Sequence, residues 1–421
     1  MSTVDLDKLR PDAERISADL DDLSTYVEPE KPGWTRRVFS DAYRGARPWV
    51  ARRMQDAGLQ VHHDAAGNIV GVLPGDSAAR AALVTGSHTD TVHGGGRFDG
   101  VVGVLGAIEV ARLLRESGTR LRHDFRVVDF LGEEPNDFGL SCVGSRAISG
   151  QLTPEHLDFV GISGHKLGET MAAFGLDPEA GLRMAWSRSD VAAYIELHIE
   201  QGPRLERTGT RVGVVTAIAG IERLLATFLG RADHAGTMPM DERRDALTAA
   251  AAAALAIEQT VSCAGPDAVA TTGRIEAYPG ALNVVPERAQ MWTEVRSTDG
   301  VWLDAARRKL SDEVVEVARS RGIDVQVEWL SDQPPVPAAV AMQDTIARAA
   351  DAVGLQWQAV PSGAGHDAAH MANLAPMGMI FVPSKDGKSH CPQEWTDADQ
   401  IADGVRLLAA SLIRLDSSLA S

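Results

Sequence analysis

The stretch that most restricts the fold is a buried strand that runs without a break into polar residues, a glycine turn and a helix. Ala81, Leu83 and Val84 lead into Gly86-Ser87-His88-Thr89-Asp90-Thr91-Val92, followed by Gly94-Gly95-Gly96 and Arg97-Phe98-Asp99-Gly100. His88 and Asp90 then leave the carboxyl end of a strand, where open α/β sheets place their chemistry. Val101, Val102, Val104, Leu105, Ile108 and Leu113 recur at helical spacing. Asp99 falls at the start of that helix, where free N–H groups favour a carboxylate. An imidazole and a carboxylate aimed at one point, with a second carboxylate on the imidazole's other nitrogen, make half of a metal site. His88, Asp99 and Asp90 are the residues in question. Taken alone, His88 and Asp90 could equally cap a strand beside a glycine turn.

With 421 residues, the chain has material for two or three domains. Hydrophobic residues at 44% and charged residues at 24% are those of ordinary globular proteins. A net charge of -17 argues against nucleic-acid and anionic-membrane partners, which would need a basic face. The acidic opening MSTVDLDKLRPDAERISADLDDL has no apolar core like that of a signal or transit peptide, and no apolar run approaches a membrane span. Cys142, Cys263 and Cys391 are too scattered for a thiolate cluster and fit a reducing compartment, so the expected location is the cytoplasm.

Further along, the pattern predicts a helix from Leu6 to about Glu28, a second from Ser40 to about Ala57, and a hairpin over residues 59–63 and 68–73 with His62 and His63 at the surface. Phe125 to Leu131 reads as a strand running into Gly132-Glu133-Glu134-Pro135. Two adjacent carboxylates there make either a solvated acidic turn or a division of labour, with Glu134 binding metal and Glu133 deprotonating a bound water. Ala193 to Gly202 alternates with period two, which puts Glu196, His198 and Glu200 on one face and Ile195, Leu197 and Ile199 on the other.

From about Val214 the texture changes to a βαββαβ-like run, with an alanine-rich helix over 241–259 and a second helix over 301–321. An α+β domain inserted into the first is expected, dividing the chain into residues 1–213, 214–330 and 331–421, with 331–337 as the return linker. A helix over 341–353, a buried strand at 379–382 and a helix from Thr396 to Leu415 complete the chain. His366-Asp367-Ala368-Ala369-His370 has the spacing of a helical zinc site but follows a loop-like Ser362-Gly363-Ala364-Gly365.

Set side by side, GSHTDTVHGGGRFDGVVGVLGAIEV, FLGEEPNDFGLSCVGSRAISG, YIELHIEQGPRLE, ADHAGTMPMDERRDAL, PGALNVVP, SGAGHDAAHMA and IFVPSKDGKSHCPQEWT resemble the hydantoinase/carbamoylase group of metal-dependent amidases. The blocks run in order from about residue 86 to 396. The resemblance implies an aminopeptidase-like α/β catalytic domain with a mixed central sheet, interrupted by an α+β lid that forms a homodimer. It also implies two divalent metal ions, zinc foremost, with manganese, cobalt or nickel equally suited to mixed imidazole and carboxylate ligands. His88 and His198 would bind one ion and Glu134 and His390 the other, with Asp99 bridging, Glu133 as base and Asp90 behind His88. In the lid, His234 would stabilise the oxyanion in the partner subunit's site, and Asn283 and Arg296 would bind the substrate carboxylate. Gln201 would orient the scissile group and His366 would lie on the substrate side.

Departures from the pattern fall around the substrate. His93 stands where a small residue or proline is frequent, at the expected pocket mouth, and Glu294 stands two before Arg296 where an aspartate is common. The implied reaction is hydrolysis of an N-carbamoyl-L-amino acid to amino acid, ammonia and carbon dioxide. Allantoate or ureidoglycolate hydrolysis is the alternative, followed by an aminoacylase or dipeptidase activity. A non-catalytic metal-dependent binding protein would have no use for Glu133.

Overall fold

The structure, a computed structural model, describes residues 6–76, 81–265 and 267–419. The chain divides into two compact units, one of Met1–Thr216, Ala338–Val360 and His366–Ser421, the other of Ala217–Pro337 and Pro361–Gly365.

The first unit opens with α1 (Ala13–Leu23) and α2 (Asp41–Asp56). The expected long first helix is cut short. Pro11 cannot continue a helix from the 3₁₀ turn at Leu6–Lys8, and Asp12 starts α1 afresh by accepting from the Arg15 N–H. Strands β1 (Gln60–His63), β2 (Ile69–Leu73) and β3 (Ala82–His88) lead to α3 (Val101–Glu116) and β4 (Phe125–Phe130). Four short helices follow, α4 (Val143–Ile148), α5 (Pro154–Leu157), α6 (Leu167–Phe174) and α7 (Pro178–Arg183). Then come β5 (Val191–Ile199), α8 (Arg204–Thr208) and β6 (Val212–Ile218).

The second unit is built from β7 (Gly220–Leu229), β8 (Asp233–His234), α9 (Ala246–Ser262), β9 (Ala268–Tyr278), β10 (Val284–Val285), β11 (Arg288–Ser297), α10 (Gly300–Ser320), β12 (Asp324–Gln333) and β13 (Val336–Pro337). Its main sheet is antiparallel in the order β12-β7-β11-β9. Both helices pack their apolar stripes on it, Ala246, Ala249, Ala250, Ala253 and Ile257 from α9 and Leu303, Leu310 and Val314 from α10. The alanine-rich helix begins later than expected, because Asp245 caps it and Met240–Glu242 forms a separate 3₁₀ turn. Residues 331–333 are not linker: β12 continues pairing with β7 as far as Gln333 opposite Ile221.

Back in the first unit, α11 (Val340–Ala352), β14 (Trp357–Ser362), α12 (Asp367–Met371), β15 (Met377–Val382) and α13 (Ala398–Ser418) end the chain. The large sheet runs β1-β2-β4-β3-β5-β15-β6. β3 is parallel to β4 and β5, and β15 is parallel to β5, whereas β1, β2 and β6 are antiparallel to their neighbours. Ile195, Leu197 and Ile199 enter the main core with α3 and α13, as a period of two requires. Four parallel strands therefore end side by side. Among the described residues no helix is long and apolar enough to cross a membrane.

Candidate metal centre

His88 ends β3, Glu133 and Glu134 follow β4, and His198 is the penultimate residue of β5. Parallel pairing brings these three strand ends together, and the loop after β15 adds His390. Asp99 stands in the middle. Its Oδ1 lies 3.2 Å from His198 Nε2 and 3.8 Å from His88 Nε2, while its Oδ2 lies 3.2 Å from His390 Nε2. His390 Nε2 is 3.5 Å from Glu134 Oε1, and His88 Nε2 is 3.5 Å from Glu133 Oε2. His88, Asp99 and His198 offer one ligand group, Asp99, Glu134 and His390 another, and the ligand atoms within each group lie within 4.8 Å of one another. All are buried except His390, which is exposed.

The imidazoles are held from behind. His88 Nδ1 donates to the Asp90 carbonyl at 2.9 Å and His198 Nδ1 to the Ile199 carbonyl at 2.9 Å, so both present Nε2 to the centre. The Asp90 carboxylate is 3.7 Å from His88 Nδ1 and accepts instead from the N–H groups of Glu133 and Glu134, each at 3.2 Å. It thereby sets the acidic turn. Asp99 does not cap α3 through its side chain: Gly100 is the N-cap residue, without a side-chain bond, and the carboxylate turns to the imidazoles. Sequence spacing shows Asp99 at the helix start but not which way its side chain turns.

Burial pushes Glu133 and Glu134 well above the ordinary carboxylate range, and the neighbouring carboxylates, Glu134 for the first and Asp99 for the second, push further. Burial raises Asp90 to about 7 and lowers His88 to about 4. Asp99 also resists ionisation through burial, but His198 and His390 outweigh this and hold it well below its usual value. The pair of imidazoles responds in kind: Asp99 raises His390 to about 9, and His198 also reaches about 9 despite its burial. Four carboxylates, Asp90, Asp99, Glu133 and Glu134, thus share one buried pocket with imidazoles as their counterparts. Glu134 Oε1 and Gln201 Oε1 are buried without a hydrogen-bond partner. A divalent cation fits this donor set, because it would be ligated by imidazole and carboxylate together and would favour the ionised carboxylates that burial opposes.

Other predicted residues fall into two groups. Gln201, in the left-handed region at φ 58°, donates from Nε2 to Asp99 Oδ2 at 2.7 Å. The His366 ring lies edge-on to His198 with centroids 4.5 Å apart. In the second unit, His234 and Asn283 are brought together by β8 and β10, with the Ala235 N–H donating to the Asn283 carbonyl at 3.0 Å, and both are exposed. Arg296 donates from Nε to Glu294 at 2.7 Å and from Nη1 to the Gly363 carbonyl at 2.9 Å. Glu200 lies one residue past the end of β5 and accepts from the Arg204 and Leu205 N–H groups that open α8. A cavity of about 700 Å³ in the first unit has Asp90, Glu134 and His93 in its wall, together with Val38, Phe39, Phe138 and Ile162.

The His366/His370 spacing does not form a site of its own. His370 Nδ1 donates to Gln151 Oε1, and its Nε2 is buried without a hydrogen-bond partner. Burial, with Arg146 and His156 adding to it, lowers His370 to about 3 from 6.5. Between those values the unfolded chain binds a proton that the folded chain refuses, so this histidine's effect is to lower stability as pH falls below about 6.5. Relative to wild type, His370→Gln should gain about 2 kcal/mol on going from pH 7 to pH 5, measured by urea unfolding at both. An unchanged difference would mean that His370 charges within the fold.

Residues 72–414 match peptidase family M20/M25/M40. An N-carbamoyl-L-amino-acid amidohydrolase of Paenarthrobacter aurescens is 38% identical over 405 residues, covering 96% of this chain and 98% of the relative. An allantoate amidohydrolase of Escherichia coli is 33% identical over 396 residues, covering 93% and 95%. Among solved structures, an amidase of the hydantoinase/carbamoylase family from Burkholderia multivorans superposes with a TM-score of 0.87 at 32% identity, covering 97% of this chain and 98% of its own. With near-complete coverage at this identity, and with groups of histidine and carboxylate that could hold a metal ion gathered at the strand ends, the chain belongs to peptidase family M20/M25/M40 and, within it, to the hydantoinase/carbamoylase amidases.

Proposed function

We infer that this protein hydrolyses N-carbamoyl-L-amino acids to amino acid, ammonia and carbon dioxide. The observation that carries the reading is Asp99, shared between two groups of ligand atoms, with the carboxylate of Glu133 3.5 Å from one of the histidines. In this reading His88 and His198 would hold one divalent ion and Glu134 and His390 the other, with Asp99 available to each. Such ions, zinc first and manganese, cobalt or nickel also suited, would supply a polarised scissile carbonyl and a water of lowered pKa.

The protein's own groups do the rest. Glu133 Oε1 lies 3.5 Å from the Cys142 thiol, leaving Oε2 to take the water's proton and hand it to the departing nitrogen. Gln201, tied to Asp99, orients the carbamoyl group. The second unit acts as lid and homodimer contact, with His234 stabilising the oxyanion in the partner subunit and Asn283 and Arg296 taking the substrate carboxylate. Arg296 holds the Glu294 carboxylate in this structure, so it is already a carboxylate binder that substrate must win over. The substrate is a small molecule, and the absence of any cysteine pair among the described residues suits a cytoplasmic enzyme.

The cavity beside Asp90 and Glu134, with Val38, Phe39, Phe138 and Ile162 in its wall, supports a substrate with a sizeable apolar side chain. A panel with metal-loaded protein, following ammonia and free α-amino acid together, tests this. Equal amounts of both are expected from N-carbamoyl-L-phenylalanine and N-carbamoyl-L-methionine, with kcat/KM about 10-fold or more above N-carbamoylglycine. Ammonia from allantoate or ureidoglycolate, with no N-carbamoyl turnover, would replace this reading with the ureide one. Amino acid without ammonia from N-acyl substrates would make the protein an acylase.

A further inference from the structure

Glu394 is a buried acid, 2% exposed, that the mechanism above does not use. Its Oε1 accepts the N–H groups of Phe98 at 2.8 Å and Asp99 at 3.1 Å, and its Oε2 accepts the Ser389 hydroxyl at 2.8 Å. The Ser389 Oγ also lies 2.6 Å from Asp99 Oδ2. One side chain thus fastens the loop that carries Asp99 to the loop that carries His390, two segments far apart along the chain. The backbone is fitted to it. A Cβ on Gly96 would lie 2.2 Å from Glu394 Oε1, so the 94–99 loop passes too close for any other residue. His390 itself is at φ 56°, a left-handed conformation that a side-chain-bearing residue keeps only when its surroundings impose it. The Glu394 N–H closes the turn onto the Cys391 carbonyl at 3.1 Å and contributes to that constraint.

We propose that Glu394 is the positioning residue that sets the span between Asp99 and His390, and with it the affinity of the ion held by Glu134 and His390. The proposal rests on the two-ion reading above. Both positions share Asp99, which Glu394 also ties, but only the one held by Glu134 and His390 has a further ligand in the Glu394-tied loop after β15, so that position should respond more strongly. Supporting partners behind metal ligands are typically worth 10- to 100-fold in affinity.

The test is a titration of metal-free full-length protein with Co(II), followed by visible absorption and by bound metal per chain. Wild type should take two equivalents. E394A should bind the second about 10- to 100-fold more weakly, with a changed visible spectrum for that equivalent, and lose less affinity for the first, whose histidine ligands Glu394 does not hold. E394Q should restore both, because its amide oxygen still accepts the two N–H groups and its NH₂ can donate to Ser389. S389A, which leaves no buried N–H without an acceptor, should weaken the second equivalent as well, and it carries the test should E394A fail to fold. A second equivalent bound by E394A, or by S389A in its place, with wild-type affinity and spectrum would overturn the proposal. So would an E394Q protein as weak as E394A, since that would make charge and not hydrogen-bond geometry the cause. A wild-type protein that takes fewer than two equivalents would overturn the two-ion reading itself.

Discussion

Replacing Glu133 by glutamine is expected to lower kcat about 10³-fold while leaving bound metal and KM close to wild type. Glutamine has the same shape, so the backbone anchors of the turn survive: the Glu133 N–H to Asp90 at 3.2 Å and the Cys142 N–H to the Glu133 carbonyl at 2.8 Å. What disappears is an oxygen able to take a proton. The carboxylate is buried, and it faces His88 Nε2 through Oε2. Two readings of that contact diverge in this one variant. His88, Glu133 and Glu134 also form a group of possible ligand atoms, so Glu133 could bind metal directly. A general base predicts lost turnover with retained metal; a ligand predicts that both are lost. Steady-state kinetics and elemental analysis on the same preparation separate them, and a variant within 10-fold of wild type would remove Glu133 from the mechanism.

The parts of the centre that were legible in the sequence are those that strand geometry delivers. His88, Glu133, Glu134 and His198 each stand at or just beyond the end of an apolar strand, and parallel pairing of β3, β4 and β5 needs nothing further to gather them. Glu196, His198 and Glu200 illustrate the limit of the same rule. Period two puts them on one strand face, but β5 ends at Ile199, before Glu200, and the period cannot tell what meets that face. His198 meets Asp99, whereas Glu196 accepts from Ser87, Tyr194 and the Ala368 N–H and Glu200 from the N–H groups that open α8. His390 stands out as a residue type but has no periodic context, and only the resemblance gave it a metal-binding role. Glu394 lies in a segment that the resemblance quoted, yet its partners Phe98 and Asp99 are 296 and 295 positions away, beyond any local pattern. The tail of β12 failed for a related reason. Its polar residues and the prolines after them read as linker, while backbone pairing with β7 keeps the strand going to Gln333.

Gly100→Ala should be the most damaging single-methyl change in the centre, costing most of the metal and about 100-fold or more in kcat/KM. Two effects act at once. Gly100 is at φ 67° and ψ -43°, outside the left-handed helical well, where an L side chain is strained. In addition, a Cβ there would lie 2.3 Å from His88 Nε2 and 2.4 Å from two ring carbons, so the imidazole must leave its position. Gly118 separates these effects. It shares the positive φ, 69°, but a Cβ there would meet nothing within 4 Å. Gly118→Ala should therefore show the cost of a side chain at positive φ alone, a melting temperature a few degrees lower with metal content and turnover intact. Gly100→Ala should show at least that cost and lose the ion held by His88 as well. Comparing the two by thermal unfolding and bound metal isolates what the displaced ring contributes. Wild-type metal content in Gly100→Ala would mean that His88 Nε2 is not a ligand.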